Sequence, residues 1–121
     1  MNTALTHSKA ALDKLERERG ETLEKLENLR MDLRRMGEPT ADEADIDAYE
    51  REKTLALVHG LERKLESLER AMHLARNGAY GICEQCGERI DPARLEILPQ
   101  ATLCLRCQRQ FEQRSRRAFA L

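Results

Sequence analysis

The stretch CEQCGERIDPARLEILPQATLCLRC, residues 83–107, contains all four cysteines of the chain. They form two Cys-x-x-Cys pairs, Cys83 with Cys86 and Cys104 with Cys107, and 17 residues separate the pairs. This spacing is typical of two short knuckles that supply four thiolates to one tetrahedral metal ion. The turn after the first pair contains Gly87, which allows the backbone to approach the sulfur closely. The sequence therefore predicts Cys83, Cys86, Cys104 and Cys107 as the ligands of one structural zinc ion.

Other roles for these cysteines are less well supported. Two disulfides are disfavoured because the first 20 residues lack the apolar stretch of a secretory signal, which places the chain in a reducing cytosol. A rubredoxin-like iron site would use similar knuckles, but further aromatic shielding is missing. A catalytic zinc is disfavoured because four sulfur ligands leave no position for water, and a redox pair because the second pair is available to share a metal. None of the three histidines is assigned as a ligand: His7, His59 and His73.

The composition favours an elongated molecule with a small module attached. Of the 121 residues, 36% are charged and only 3% are aromatic, so large side chains that could fill a compact interior are scarce. The net charge is −1, because 21 basic residues nearly cancel 22 acidic ones. This balance argues against a protein that holds nucleic acid by bulk electrostatics.

Residues 1–37 show a leucine-rich heptad pattern with charged residues between the apolar positions, which predicts a helix that buries one narrow stripe. Gly37 and Pro39 predict its end, and Thr40 with Glu43 forms a capping box for a second helix that runs to Arg76. Arg19 and Thr22 interrupt the first stripe and predict loose packing there. The positions expected in the seam are Leu5, Ser8, Leu12, Leu15, Arg19, Thr22, Leu26, Leu29, Leu33 and Met36 on the first helix, and Thr54, Leu57, Leu61, Leu65, Leu68, Met72 and Ala75 on the second.

Two helices of more than thirty residues joined by a few turn residues are expected to fold back on each other. The predicted fold class is mainly α, with a long antiparallel coiled-coil hairpin at residues 1–77. A small C4 zinc finger with a short C-terminal helix is expected to follow at residues 78–121. An intermolecular coiled coil is the main alternative, but the pattern breaks at the Gly-Glu-Pro-Thr connection, where a continuous dimerising helix would not break. We therefore expect a monomer.

The predicted tip of the hairpin, residues 38–50, contains six acidic residues and no basic one. Asp42 and Glu43 are explained by their favourable position in a first helical turn. Asp45 and Asp47 lie deeper in the helix, where aspartate is a poor helix former, and are candidates for a functional role. A carboxylate cluster on a long rod is suited to meeting a cation, a basic groove or a bound metal ion away from the base.

The segment AYGICEQCGERIDPARLEILPQATLCLRCQRQFE, residues 79–112, resembles the finger of the bacterial DksA/TraR family. The family pattern is Tyr-Gly-x-Cys-x-x-Cys-Gly, then Ile, Arg-Leu, Pro-x-Ala and Cys-x-x-Cys, and the long hairpin before the finger is similar to the coiled-coil arm of that family. The matching residues are Tyr80, Gly81, Cys83, Cys86, Gly87, Ile90, Arg94, Leu95, Pro99, Ala101, Cys104, Cys107 and Glu112.

The resemblance implies a non-enzymatic, cytoplasmic regulator of bacterial RNA polymerase that makes no sequence-specific DNA contact. Family members insert the hairpin into the secondary channel of the enzyme, which places the acidic tip near the active centre. The family tip pattern is Asp-x-x-Asp-x-Ala. Here Asp42 and Asp45 match, and Asp47 occupies the position of the alanine, so the regulatory effect is expected to differ more than the binding.

A second departure concerns the alarmone ppGpp, which basic residues of the best-known family members help to bind. Two of those positions fall on Leu98 and Gln108, which are uncharged. Because a phosphate-rich ligand needs charge-assisted hydrogen bonds, we expect weak or absent ppGpp synergy. The remaining alternative is a zinc-ribbon and coiled-coil adaptor that binds another protein, or nucleic acid through the arginines of residues 106–117.

Overall fold

The computed structural model describes residues 3–37 and 44–119, and side chains for residues 9–37 and 48–118. Four helices follow one another along the chain: α1 (Thr3–Met36), α2 (Ala44–Arg76), α3 (Pro92–Ile97) and α4 (Leu105–Phe119). None of the helices in the described part of the chain combines the length and the apolar character needed to cross a bilayer. The first two helices dominate the molecule, since each is about 50 Å long at 1.5 Å per residue.

Helices α1 and α2 pack against each other as an antiparallel hairpin, which confirms the predicted fold class. Leu15, near the start of α1, packs in a buried cluster with Leu68 and Met72, near the end of α2. An ion pair joins Glu18 to Lys64 with the Nζ and Oε2 atoms 3.4 Å apart. Early residues of one helix therefore face late residues of the other.

The seam of α1 follows the predicted heptad over the residues whose side chains are described. Leu15 and Leu26 are fully buried, whereas Met36 at the end of the helix is 39% exposed. At Thr22 itself the prediction of loose packing is wrong. Thr22 is only 2% exposed, and its hydroxyl donates a hydrogen bond of 2.8 Å to the carbonyl of Glu18. A buried threonine is tolerated there because its polar atom finds a partner one turn back on its own helix.

The seam of α2 differs from the prediction at Leu57. Leu57 was expected to be buried, but it is 52% exposed, and Val58 is buried in its place. The physical reason is the regular alternation of steps of four and three residues that a two-helix seam requires. Starting from Thr54, this alternation reaches Val58 and misses Leu57. The remaining seam residues lie on the predicted stripe, at least partly covered: Leu61, Leu65, Leu68, Met72 and Ala75.

Glycines end both long helices, as predicted. Gly37 follows α1 with φ of 59°, and Gly78 follows α2 with φ of 71°, both in the left-handed region. After α2, the N–H of Ala79 donates to the carbonyl of Leu74 at 2.8 Å, and that of Gly78 donates to Ala75 at 3.2 Å. These two bonds form a Schellman motif, which satisfies the last carbonyls of the helix and turns the chain toward the finger. The predicted capping box of α2, Thr40 with Glu43, lies outside the described residues.

Candidate metal centre

The first cysteine pair lies in a tight turn whose backbone is fixed by hydrogen bonds. The N–H of Cys83 donates to the carbonyl of Glu88 at 2.8 Å, and the N–H of Gly87 donates back to Cys83 at 2.9 Å. An isolated antiparallel bridge between Ile82 and Arg89 closes the base of this turn. Gly87 has φ of 77°, a left-handed conformation that glycine adopts easily, in the turn that the sequence predicted after Cys86.

The second pair lies at the start of α4. Cys104 immediately precedes the helix, and Cys107 is in its first turn. The N–H of Cys107 points at the sulfur of Cys104 at 3.5 Å, and the N–H of Gln108 donates to the Cys104 carbonyl at 2.9 Å. Cys104 thus occupies the place of a helix cap, and its sulfur lies near the N-terminus of α4.

The four predicted ligand residues come together in one cluster. All four Sγ atoms lie within 4.8 Å of one another, and those of Cys86 and Cys104 are 3.8 Å apart. A tetrahedron with zinc–sulfur bonds of about 2.3 Å has sulfur–sulfur edges of about 3.8 Å, whereas a disulfide bond is about 2.0 Å long. The geometry therefore fits one structural zinc ion in a closed site and does not fit disulfides.

The electrostatics of the cluster also favour a bound cation. Burial acts to raise the pKa of Cys83, but backbone hydrogen bonds at Cys104, Cys86 and Gln85 outweigh burial and lower this pKa to about 6. Burial and then the neighbouring thiols raise the pKa of Cys107 to about 12. Four sulfurs at this distance repel one another as thiolates, and a divalent ion at their centre removes the repulsion.

The finger has little else to hold it together. Its buried cluster consists of Ile90 and the two cysteines Cys83 and Cys107, with Leu95 and Leu103 packed against them. So small an apolar core cannot offset the entropy of ordering about 40 residues. The fold of the finger is expected to depend on the metal, as in small zinc-finger domains generally.

The other predicted site residues lie at opposite ends of the molecule. Asp45 and Asp47 are in the first turn of α2 as the structure describes it, although their side chains, like all of Asp42, lie outside the described residues. Leu98 and Gln108 are brought together on one open groove of 420 Å³ beside the finger. His59 and His73 are exposed on α2 and are not part of the cysteine cluster.

The groove beside the finger has a mixed lining. It contains two arginines, Arg94 and Arg109, together with the acidic Glu112. The Nε–H of Arg94 is buried and has no hydrogen-bond partner among the described residues. Because Leu98 and Gln108 are uncharged, the positive charge of this groove comes from Arg94 and Arg109.

Sequence reasoning missed the contacts that attach the finger to the hairpin. Arg70 on α2 binds the carboxylate of Glu84, which lies between Cys83 and Cys86, and the Tyr80 hydroxyl donates to the Pro99 carbonyl at 3.0 Å. The hydrogen bond from Arg70 is the main cause that lowers the pKa of Glu84. Tyr80 is part of the family pattern, so the sequence could have singled it out as a structurally important residue. The Arg70–Glu84 pair carries no sequence signal, because both residue types are common throughout the chain.

Comparison with known proteins places the finger and the whole fold in one family. The family model described as the prokaryotic dksA/traR C4-type zinc finger matches residues 78–113. The chain is 38% identical over 86 residues to the RNA polymerase-binding transcription factor DksA of Caulobacter vibrioides, which covers 69% of this chain and 61% of that protein. It is 36% identical over 77 residues to the protein of the same name from Escherichia coli, covering 62% of this chain and 51% of that protein.

A solved structure extends the similarity to the hairpin. The transcription factor DksA2 from Pseudomonas aeruginosa matches with a TM-score of 0.77 and 28% identity, covering 92% of this chain and 87% of that one. The match therefore includes the long helices as well as the cysteine cluster. Together with the four clustered cysteines, these similarities show that the chain belongs to the DksA/TraR family of C4-type zinc finger proteins.

Proposed function

We propose that Cys83, Cys86, Cys104 and Cys107 bind one structural zinc ion, and that the chain is a non-catalytic, cytoplasmic regulator of bacterial RNA polymerase. It acts by inserting its helical hairpin, residues 1–77, into the secondary channel, while the finger module, residues 78–121, stays at the entrance. The observation that carries this proposal is the match of the whole rod and finger to DksA2, over 92% of the chain. The relatives whose names describe RNA polymerase binding support the choice of partner.

The shape of the hairpin suits insertion into a narrow channel. Two helices of about 50 Å bury a single seam, so the rod is only two helices thick along its length. Its apolar stripe is used internally, between Leu15 on α1 and Leu68 and Met72 on α2, which supports a monomer. Helix α1 ends and α2 begins at the end of the hairpin opposite to the finger, and we expect the acidic segment between these two points to be the first part to reach the interior of the enzyme.

Competition for core RNA polymerase tests the proposal. The purified protein should bind core polymerase and displace a labelled factor that is known to occupy the secondary channel. Binding without displacement would place the protein elsewhere on the enzyme, and failure to bind would remove polymerase as the partner. Serum albumin at the same concentration controls for non-specific displacement.

Neutralising the acidic tip should separate binding from regulation. We predict that the double variant Asp45→Asn, Asp47→Asn binds core polymerase within about threefold of the unmodified protein, because peripheral charges contribute little net affinity. Its effect on the lifetime of promoter complexes should be lost, since the variant has neutral amides in place of the two carboxylates that would act near the active centre. Glu52→Gln, an exposed carboxylate farther along α2, is the matched control and should keep the effect. A silent double variant would contradict the proposed role of the tip.

The alarmone ppGpp should have little synergy with this protein. Leu98 and Gln108 line the same groove, and neither offers the charge-assisted hydrogen bonds that phosphates require. Transcription of a sensitive promoter, measured with the protein in the presence and absence of ppGpp, should show the two effects adding without enhancement. The double variant Leu98→Arg, Gln108→Lys should gain synergy, because it adds two cations to the groove. Strong synergy of the unmodified protein would refute this prediction.

A second function is favoured by the charge of α4. This helix carries five arginines and one acidic residue, and all five arginines are exposed: Arg106, Arg109, Arg114, Arg116 and Arg117. Such a surface is suited to an adaptor that binds nucleic acid or another acidic partner. We expect no sequence-specific DNA binding. Recovery of a partner other than polymerase from bacterial lysate, together with silent substitutions at Asp45 and Asp47, would favour the adaptor.

A further inference from the structure

The finger is attached to the hairpin by side-chain contacts from both long helices. Lys14 on α1 donates to the carbonyl of Glu96 at 3.3 Å, and Arg70 on α2 binds Glu84. Tyr80, at the junction, packs against the buried cluster of the hairpin and donates to the finger through its hydroxyl. These contacts set the direction of the finger relative to the rod.

One of these contacts reaches into the metal centre itself. Glu84 lies between Cys83 and Cys86, and its backbone N–H donates to the carbonyl of Thr102 at 2.9 Å, two residues before Cys104. The backbone of Glu84, from which its carboxylate extends, is therefore held by both knuckles. Because the knuckles share so small an apolar core, a metal ion held by the four cysteines would be the main force that brings them together.

Arg70 approaches this carboxylate from α2 with favourable geometry. Its Nε atom lies 2.8 Å from both carboxylate oxygens of Glu84. The side chain of Glu84 is 23% exposed, so the acceptor is partly shielded from water, while that of Arg70 is 66% exposed. Arg70 lies near the C-terminal end of α2, so the pair connects the turn of the first cysteine pair to the hairpin.

We propose that the Arg70–Glu84 ion pair couples metal binding in the finger to the attachment of the finger on the hairpin. With the metal bound, Glu84 is presented to Arg70 and the finger is held on α2. Without it, the two knuckles separate, Glu84 leaves Arg70, and the finger loses its fixed direction. Since coupling between two equilibria is reciprocal, loss of Arg70 must also weaken metal binding.

Zinc affinity measured by competition with a chromophoric chelator tests the coupling. Arg70→Ala should weaken zinc binding about two- to fivefold, the size expected for the loss of a partly exposed ion pair. Arg19→Ala is the matched control, because Arg19 pairs with Glu69 and joins only the two hairpin helices. It should leave zinc affinity unchanged. A double-mutant cycle with Glu84→Ala separates the pair from any direct effect of Glu84 on its knuckle.

The Nε–H resonances of the two arginines provide a second readout in the unmodified protein. Removing zinc with a chelator should abolish the hydrogen-bonded signal of Arg70. The signal of Arg19, which donates to Glu69 at 3.4 Å within the hairpin, should persist. The coupling is overturned if the Arg70 signal survives zinc removal, or if Arg70→Ala binds zinc as tightly as the unmodified protein while the far-UV circular dichroism shows intact helices.

Discussion

Cys107→Ser is expected to abolish stoichiometric zinc binding and to unfold the finger while the helical hairpin stays folded. Cys107 is only 5% exposed and lies at the centre of the finger's buried cluster, so serine there replaces a thiolate with a weak, poorly placed ligand. Structural zinc contributes roughly 10 to 16 kcal/mol to small finger domains, far more than this finger can gain from Ile90 alone. The buried residues of the hairpin form a separate cluster, so we expect the hairpin to stay folded without the metal.

Zinc content per chain and amide spectra of the finger measure this loss. The variant should contain less than about 0.1 zinc per chain, because three ligands at a site built for four hold the metal weakly. Gln85→Ala is the matched control: this exposed residue lies between the first two cysteines without a role as a ligand, and the variant should keep one zinc. Retention of one zinc and of a folded finger in Cys107→Ser would show that Cys107 is not a ligand.

Leu68→Ala is expected to destabilise the hairpin by about 2 to 5 kcal/mol, the usual cost of emptying a fully buried leucine site. Leu68 has no exposed surface and packs with Leu15 and Met72 in the larger buried cluster of the hairpin. Two long helices have little freedom to collapse around the cavity without losing their register. The measurement is urea unfolding followed by helical circular dichroism, with zinc in excess so that the finger stays folded.

Leu57→Ala is the control that shows whether the seam of α2 runs through Leu57 or through Val58. Leu57 is 52% exposed, so its truncation should change stability by less than about 0.5 kcal/mol. Val58→Ala, at a site that is 5% exposed, should cost more than Leu57→Ala despite the smaller side chain. The reverse order would mean that the seam runs through Leu57, as the sequence pattern alone had indicated.

The parts of the structure that sequence predicted are those in which neighbouring residues decide the outcome. The spacing of the two Cys-x-x-Cys pairs predicted that the four cysteines come together, because two such knuckles are typical of a shared metal site, and the structure places their sulfurs in one cluster. Gly37 and Gly78 identify helix ends because their positive φ is easily accessible only to glycine. The heptad pattern and its break after Met36 predicted the two long helices and their packing as a hairpin.

The parts that sequence did not predict depend on residues far apart in the chain. Whether Leu57 or Val58 is buried depends on how α1 lies against α2. The sequence pattern of α2 alone does not give that information. The burial of Thr22 required a hydrogen bond to Glu18 within the seam. The Arg70–Glu84 pair and the groove of Leu98 and Gln108 both arise from the direction in which the finger is set on the hairpin, a tertiary feature with no local signal.

The claim that the hairpin enters the secondary channel is tested most directly by crosslinking from the tip. A photoreactive phenylalanine analogue in place of Tyr49, which is 66% exposed near the start of α2, should crosslink to polymerase segments around the active centre. The same analogue in place of Phe111 on α4, which is 59% exposed, should crosslink only to the outer surface near the channel entrance. Crosslinks from position 49 to the outer surface alone, or to no part of polymerase, would contradict insertion of the hairpin.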